Sequence, residues 1–292
     1  MRSVILTALV VCLTAACQAQ EAVQADPAEE AVSAWRNVLP ENLLLVETVH
    51  GPIAIEFNPA FAPNHVAQFR SLVRQKVYDG SRFYRVIDAF VAQGGLQEDE
   101  LIEPHPVLEN ENDRPLSDAP FVPLGNADLF APEVGHIDGF AVGRSQSLGQ
   151  EWLLHCPGAF AMARDTGPDT GGTEFYIVLD AQRYLDRNLT VFGRVIDGME
   201  HVQKLKRGDR AIESGVIQAP EVGDEILSMA IAADLDVVER PNYQVQAMPG
   251  AAFEAAKTAK RVREEDFFYR KPPEILDVCG FEVPVRFAPD VD

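Results

Sequence analysis

The chain has 292 residues, 47% of them apolar, enough to build a full globular core for one main domain with extensions. Its 25 Lys and Arg stand against 45 Asp and Glu, a formal net charge of −20 that repels phosphate backbones over the whole surface and argues against nucleic acid as a partner. No internal repeat is visible, and no apolar run is long enough to span a membrane.

The first stretch, MRSVILTALVVCLTAACQAQ, has Arg2, an apolar segment from Val4 to Leu13 and small residues before Cys17. That is the layout of a secretory signal, assigned to residues 1–16. Two readings of the cut stand side by side. LTAAC resembles the bacterial lipoprotein box, in which Cys17 is lipidated and attaches the protein to a membrane, although Thr14 stands where leucine is usual. Cleavage after Ala19 instead releases a soluble chain. Both place the mature protein outside the cytoplasm, in the periplasm of a bacterium. Residues 17–44 read as a tether and lead-in, rich in Ala, Glu and Gln with nothing large to bury until its end.

In LLLVETVHGPIAIEFNP, Ile53, Ile55 and Phe57 alternate with Ala54 and Glu56 after a HGP break, which predicts a hairpin. APNHVAQFRSLVRQKVYDG then changes to helical spacing, with Pro63 in the first turn and Val66, Phe69, Leu72 and Val73 on one face. GAFAMAR, TEFYIVL and LTVFGRVI are short β-rich runs, DGMEHVQKLKRGD predicts a second amphipathic helix, and EILSMAIAADL a last strand. Many short strands with two helices point to an antiparallel barrel capped at its ends.

The run GSRFYRVIDAFVAQGG places Arg85 in an otherwise buried pattern, followed by Gln93, Gly94 and Gly95. FYRVIDAFVAQGG, FAMAR, GPDTGGTEFYIVL and YLDRNLTVFGRVIDGME, in this order and spacing, resemble the motifs of the cyclophilin-type peptidyl-prolyl isomerases. The resemblance covers residues 45–235. It implies a mainly β fold, an eight-stranded antiparallel barrel capped by two helices, acting on proline-containing polypeptides without a cofactor or a metal.

By that resemblance Arg85 is the catalytic hydrogen-bond donor. Phe83, Phe90, Val91, Phe175, Tyr176 and Leu185 line the proline pocket, and Gln93 supports Arg85 or the substrate backbone. Ala163 and Arg164 pair with the bound main chain. An isolated arginine in a strand most often snorkels at a sheet face, and alternating aromatics are most often plain core. Phe90 and Gln93 at the family spacing shift the balance for Arg85. The sequence also departs from the family: Glu174 stands in place of glutamine, Tyr184 in place of tryptophan and Leu189 in place of histidine. The last two put binding of cyclosporin-type macrocycles in doubt. A weakly catalytic or non-catalytic proline-segment binding module or chaperone is the alternative function.

Two segments exceed the family core. Residues 96–157 form an insertion, rich in Pro, Asp and Gly around DRPLSDAPFVPLGNADLFAPEVGHIDGF, expected as a long ordered loop rather than extra strands. It either borders the groove or covers a distant barrel edge. Residues 236–292 form a C-terminal extension with a helix expected from Ala251 to Tyr269, its apolar side made of Phe253, Ala256, Val262 and Phe267.

The remaining signals are weak. With Cys12 lost in the leader and Cys17 lipidated in one reading, Cys156 and Cys279 are left as the pair expected to form a disulfide in an oxidising compartment. His155 beside Cys156 lacks zinc-site spacing, GRSQSLG lacks the last glycine of a nucleophile elbow, NLT at Asn188 falls inside a family motif, and Glu98 with Asp99 reads as a solvated face.

Overall fold

Alternating side chains and tight turns close eight strands into an antiparallel barrel in the computed structural model, which describes residues 34–289. The leader, Cys17 and the cut after Ala19 lie outside the described residues. In chain order the elements begin with β1 (Trp35–Asn37), β2 (Leu43–Thr48), β3 (Gly51–Phe57), α1 (Pro63–Arg74), β4 (Arg82–Val86), β5 (Val91–Gly95) and the short α2 (Asp99–Ile102). Five strands follow within the insertion: β6 (Arg114–Pro115), β7 (Val122–Pro123), β8 (Glu133–Ile137), β9 (Phe140–Ser145) and β10 (Gln150–Leu153). The chain then runs through β11 (Ala159–Met162), β12 (Phe175–Val178), β13 (Val191–Asp197), α3 (Met199–Val202), β14 (Asp224–Ile231), β15 (Tyr243–Gln246), α4 (Ala251–Arg261) and β16 (Val285–Phe287).

The barrel order is β11, β12, β5, β4, β14, β2, β3, β13, with β13 returning to β11. The predicted hairpin is β2 and β3, with Thr48 opposite Gly51. Helix α1 caps one end and buries Val66, Phe69, Leu72 and Val73, the four residues its spacing marks. Phe69 meets the rings of Phe57, Tyr78, Phe160, Phe175 and Phe192 at 4.9–5.9 Å, an aromatic centre that fills the barrel. The second cap is shorter than its sequence period predicts. Helix α3 stops at Val202 because the main chain beyond it turns to the barrel end: the Lys206 N–H donates to Asp224 at 2.7 Å and the Gly208 N–H to the Val86 carbonyl at 2.7 Å.

The insertion corrects the expectation of a loop. It forms a five-stranded sheet in the order β6, β10, β9, β8, β7. The turn between β8 and β9 is Asp138–Gly139, with φ of 49° and 85°, the two positive values that a two-residue hairpin of matching twist requires. Fully buried Glu151 holds the opposite side, accepting from Arg114, Arg144 and Ser117, so its charge is paired rather than stranded. A further sheet joins β1, β15 and β16.

Lead-in, insertion and tail share one second core. Val38, Val122, Trp152, Val245, Phe253 and Phe281 belong to a single buried cluster drawn from all three segments. Helix α4 contributes Phe253 but ends at Arg261, eight residues before the expected Tyr269. Past that point the chain offers Glu264, Glu265 and Asp266, negative charges that oppose a helix C-terminus, and Phe267 is 84% exposed, with no face to bury. Cys156 and Cys279 are joined by a disulfide with Cα atoms 4.8 Å apart, tying the tail to the segment just before β11.

Candidate active site

One outer face of the barrel is made by β5, β11 and β12. Strand alternation turns Val91 and Gln93 outward from β5, Ala161 and then Ala163 from β11 and its end, and Tyr176 from β12, while Ala92, Phe160, Met162, Phe175 and Ile177 point inward. Beside this face, β4 carries a bulge: Arg82 pairs with Gly95 but Arg85 with Gln93, so one extra residue is accommodated between them. The bulge turns both Tyr84 and Arg85 outward and leaves Phe83 in the barrel core.

Arg85 is held on two sides. Its Nε donates to the Ser214 carbonyl at 2.9 Å and its Nη1 to Gln93 Oε1 at 2.9 Å. Ser214 can reach it because Glu213, Ser214 and Gly215 all have positive φ, which folds the 208–217 loop back over β4. Gln93 Nε2 donates in turn to the Tyr84 hydroxyl at 2.6 Å and to Glu174 Oε2 at 3.0 Å. Gly95 makes room for this chain: its φ is 131°, and a Cβ there would stand 2.8 Å from Glu174 Cα. Burial raises the Glu174 carboxyl above its ordinary 4.5, against the opposing pull of Tyr84 and Gln93. Burial also draws the Arg85 guanidinium below its usual range, with Arg210 adding repulsion. Both guanidinium carbons lie within 6 Å of the Phe90 ring, at 5.6 Å for Arg85 and 5.4 Å for Arg210.

A second hydrogen-bonded chain runs beneath the outer face. Asp186 Oδ1 accepts from the His155 main-chain N–H at 2.8 Å and lies 3.1 Å from His155 Nδ1, and His155 Nε2 lies 2.8 Å from the Tyr176 hydroxyl. His155 is completely buried, so this contact fixes the ring that floors the face. Tyr184 and Leu185 sit on a 3-10 turn, Arg183–Leu185, at the rim, with Tyr184 58% exposed. Arg164 folds over the end of the face, donating to the Asn188 carbonyl from Nε and Nη2.

The structure thus brings Arg85, Phe90, Val91, Gln93, Ala163, Glu174 and Tyr176 to one region, with Arg164, Tyr184 and Leu185 at its edges. Phe83 and Phe175 are corrected: each is 1% exposed and packs inside the barrel. For Phe175 the reason is parity, since its neighbour Tyr176 takes the outward side. The Ala163 N–H donates to the Glu174 carbonyl at 2.9 Å, so that amide is committed within the fold. Sequence reasoning missed Tyr84, His155, Arg210 and Ser214. A backbone carbonyl such as that of Ser214 leaves no trace in residue type, whereas Arg210 in KRGDR was visible as a cation without a place.

These features can be set against known proteins. The family model described as cyclophilin type peptidyl-prolyl cis-trans isomerase matches residues 43–230, more than half of the chain. The chain belongs to the cyclophilin family. Over 197 residues this cyclophilin is 32% identical to a probable peptidyl-prolyl cis-trans isomerase of Brucella abortus, covering 67% of this chain and 85% of that one. It is 32% identical over 157 residues to peptidyl-prolyl cis-trans isomerase B of Bacillus subtilis, covering 54% and 85%. The crystal structure of cyclophilin AquaCyp293 from Hirschia baltica superposes with a TM-score of 0.73 at 27% identity, covering 92% of this chain and all of that one. The last match is long enough to take in much of the second core as well as the barrel.

A cavity of about 540 Å³ in this cyclophilin lies elsewhere, between β13, the insertion sheet and the tail around Phe281. It contains none of the groove residues. Among the described residues, no group of three or more His, Cys, Asp or Glu could hold a metal ion, and Cys156 beside His155 is taken up in the disulfide.

Proposed function

We propose that this cyclophilin accelerates X-Pro isomerisation in exported proteins as they fold, with Arg85 as its catalytic residue. Rotation about the X-Pro bond is slow because amide resonance must be broken, a barrier of about 18–20 kcal/mol. In the twisted transition state the proline nitrogen loses conjugation and becomes a better hydrogen-bond acceptor. A fixed cationic donor beside an apolar floor favours that state over the planar one. The observation that carries the reading is the double clamp on Arg85, which fixes its fork through Nε and Nη1 and leaves Nη2 without a partner among the described residues. Phe90, Val91 and Tyr176 supply the apolar surface for the proline ring, and Tyr184 and Leu185 its rim. Export rests on the leader and its two possible cuts, one of which anchors the protein to a membrane through Cys17.

The test is a protease-coupled proline-peptide assay on the mature protein. Arg85→Ala should keep the barrel folded and lower kcat/KM by about 10- to 1000-fold, the usual worth of a preorganised donor aimed at a transition state. Arg85→Lys should recover little, because it keeps the charge without the fork. Peptide binding should weaken much less than turnover. Wild-type turnover in the alanine variant, with unchanged circular dichroism and melting, would replace the catalytic assignment with the binding-module reading.

A further inference from the structure

Beside the groove rim, the insertion presents apolar side chains to solvent. Leu129 is 95% exposed and Phe130 53%, two neighbouring large apolar residues at the surface. Their presentation is built, not loose. Asp128 Oδ1 accepts from the main-chain N–H groups of Phe130 and Ala131, both at 2.9 Å, closing a turn that carries Leu129 and Phe130 at its tip. The same carboxylate accepts two bonds from Arg183, at 3.0 and 3.1 Å, in the paired geometry suited to a guanidinium. Arg183 is buried, and its Nε donates to Asp186 at 2.6 Å.

Arg183 is the residue immediately before Tyr184 and Leu185 on the groove rim. Its guanidinium carbon lies 5.4 Å from the Phe130 ring centre. An arginine side chain reaches on the order of 6 Å from its Cα, so the Phe130 ring lies no more than about 12 Å from the rim backbone, within three or four residues of extended chain. Exposed Leu129 and Phe130 are thus tied through Asp128 and Arg183 to the turn that carries exposed Tyr184. The acidic charge of Asp128 is consumed by Arg183 and two amides, so the edge is apolar in a molecule that is otherwise strongly negative. Neighbouring large apolar groups held rigidly at a surface mark a place where another apolar surface docks.

We propose that Leu129 and Phe130 form an apolar subsite continuous with the groove, occupied by apolar side chains of the same unfolded polypeptide whose X-Pro bond lies against Arg85. The occupant follows from that linkage: the turn carrying Leu129 and Phe130 is anchored to Arg183, which adjoins Tyr184 on the groove rim. The subsite rests on the isomerase reading above and adds a preference to it, for clients with apolar residues several positions from the proline. A tetrapeptide is too short to use it.

The test compares three peptides by NMR exchange on the mature protein and on the double variant L129S/F130S. One is a blocked tetrapeptide with a central Ala-Pro; the other two are matched longer peptides with Leu or Ser at the fourth to sixth positions on both sides of the proline. Wild type should favour the Leu peptide over the Ser peptide by about fivefold or more in kcat/KM. In the double variant that ratio should fall to about one, with tetrapeptide turnover within twofold of wild type and melting unchanged. A ratio that persists in the variant, a wild type that shows no preference, or equal losses on all three peptides would each overturn the subsite. Failure of wild type to turn over the tetrapeptide would strike the isomerase reading alone. Fluorescence anisotropy of the labelled Leu peptide against both proteins then decides the subsite, which requires tighter binding to wild type.

Discussion

Glu174 is the residue at which this groove departs most from an uncharged design. Its carboxylate accepts from Gln93, whose own oxygen is taken by Arg85, so the acid orients the amide that orients the guanidinium. The cost is a buried negative charge, seen as a carboxyl raised above 4.5. Because the folded state then holds its proton more tightly than the unfolded chain, Glu174 favours folding most below pH 4.5 and loses that contribution as pH rises through its folded value. Glu174→Gln removes the charge and keeps the shape. Thermal melting should therefore show the variant more stable than wild type at pH 7, with the difference shrinking to nothing below about pH 4, where Glu174 is protonated in both states. The glutamine can still accept from Gln93, so kcat/KM should change by less than about fivefold. A difference in melting that does not vary with pH would remove burial as the cause.

At the scale of elements, the sequence made the barrel, α1 and the Arg85–Gln93 pair readable because period-two and helical spacings are clean there and the motif spacing is long. Phe83 was misplaced because a bulge changes parity between it and Arg85, and nothing in RFYRV marks which residue is extra. The insertion strands were hidden by Gly135, Gly143, Arg144 and Glu151, residues that interrupt an apolar alternation yet are buried or paired in the sheet. The DG turn at Asp138–Gly139 was the one strand signal present. That sheet also carries an acid-sensitive point. His136 on β8 lies 5.5 and 5.6 Å from the rings of Phe253 and Phe281, and burial holds its imidazole at about 3, well below the ordinary 6.5. The unfolded chain takes up the proton first, so this histidine's contribution is complete above pH 6.5 and is lost as pH falls toward 3. His136→Phe should flatten the fall of melting temperature between pH 6.5 and 4. A slope identical to wild type would assign the acid sensitivity to other groups.

For the molecule as a whole, the disulfide is the covalent link between the tail and the barrel side of the second core. It closes a separation of 123 residues, worth about 5 kcal/mol in the chain-entropy account. Cys279→Ser should loosen the tail before the barrel, because the barrel keeps its own core and closed sheet. Limited proteolysis should then cut within residues 262–275 at least tenfold faster than in the oxidised wild type, with tetrapeptide isomerase activity nearly unchanged. Equal cleavage rates would mean that packing around Phe253 and Phe281 holds the tail unaided.

The second core has a consequence for the order in which the protein is made. Its residues come from before, within and after the barrel, so β1 pairs with β15 across some two hundred residues of intervening chain. Delivered N-terminus first, from the ribosome or through an export channel, the chain releases every barrel strand before Phe253 and Phe281 emerge. The barrel can close while Val38, Val122 and Trp152 still await their partners, and those contacts, with their high loop-closure cost, form late. For that interval the emerging chain carries a closed barrel on a half-built body.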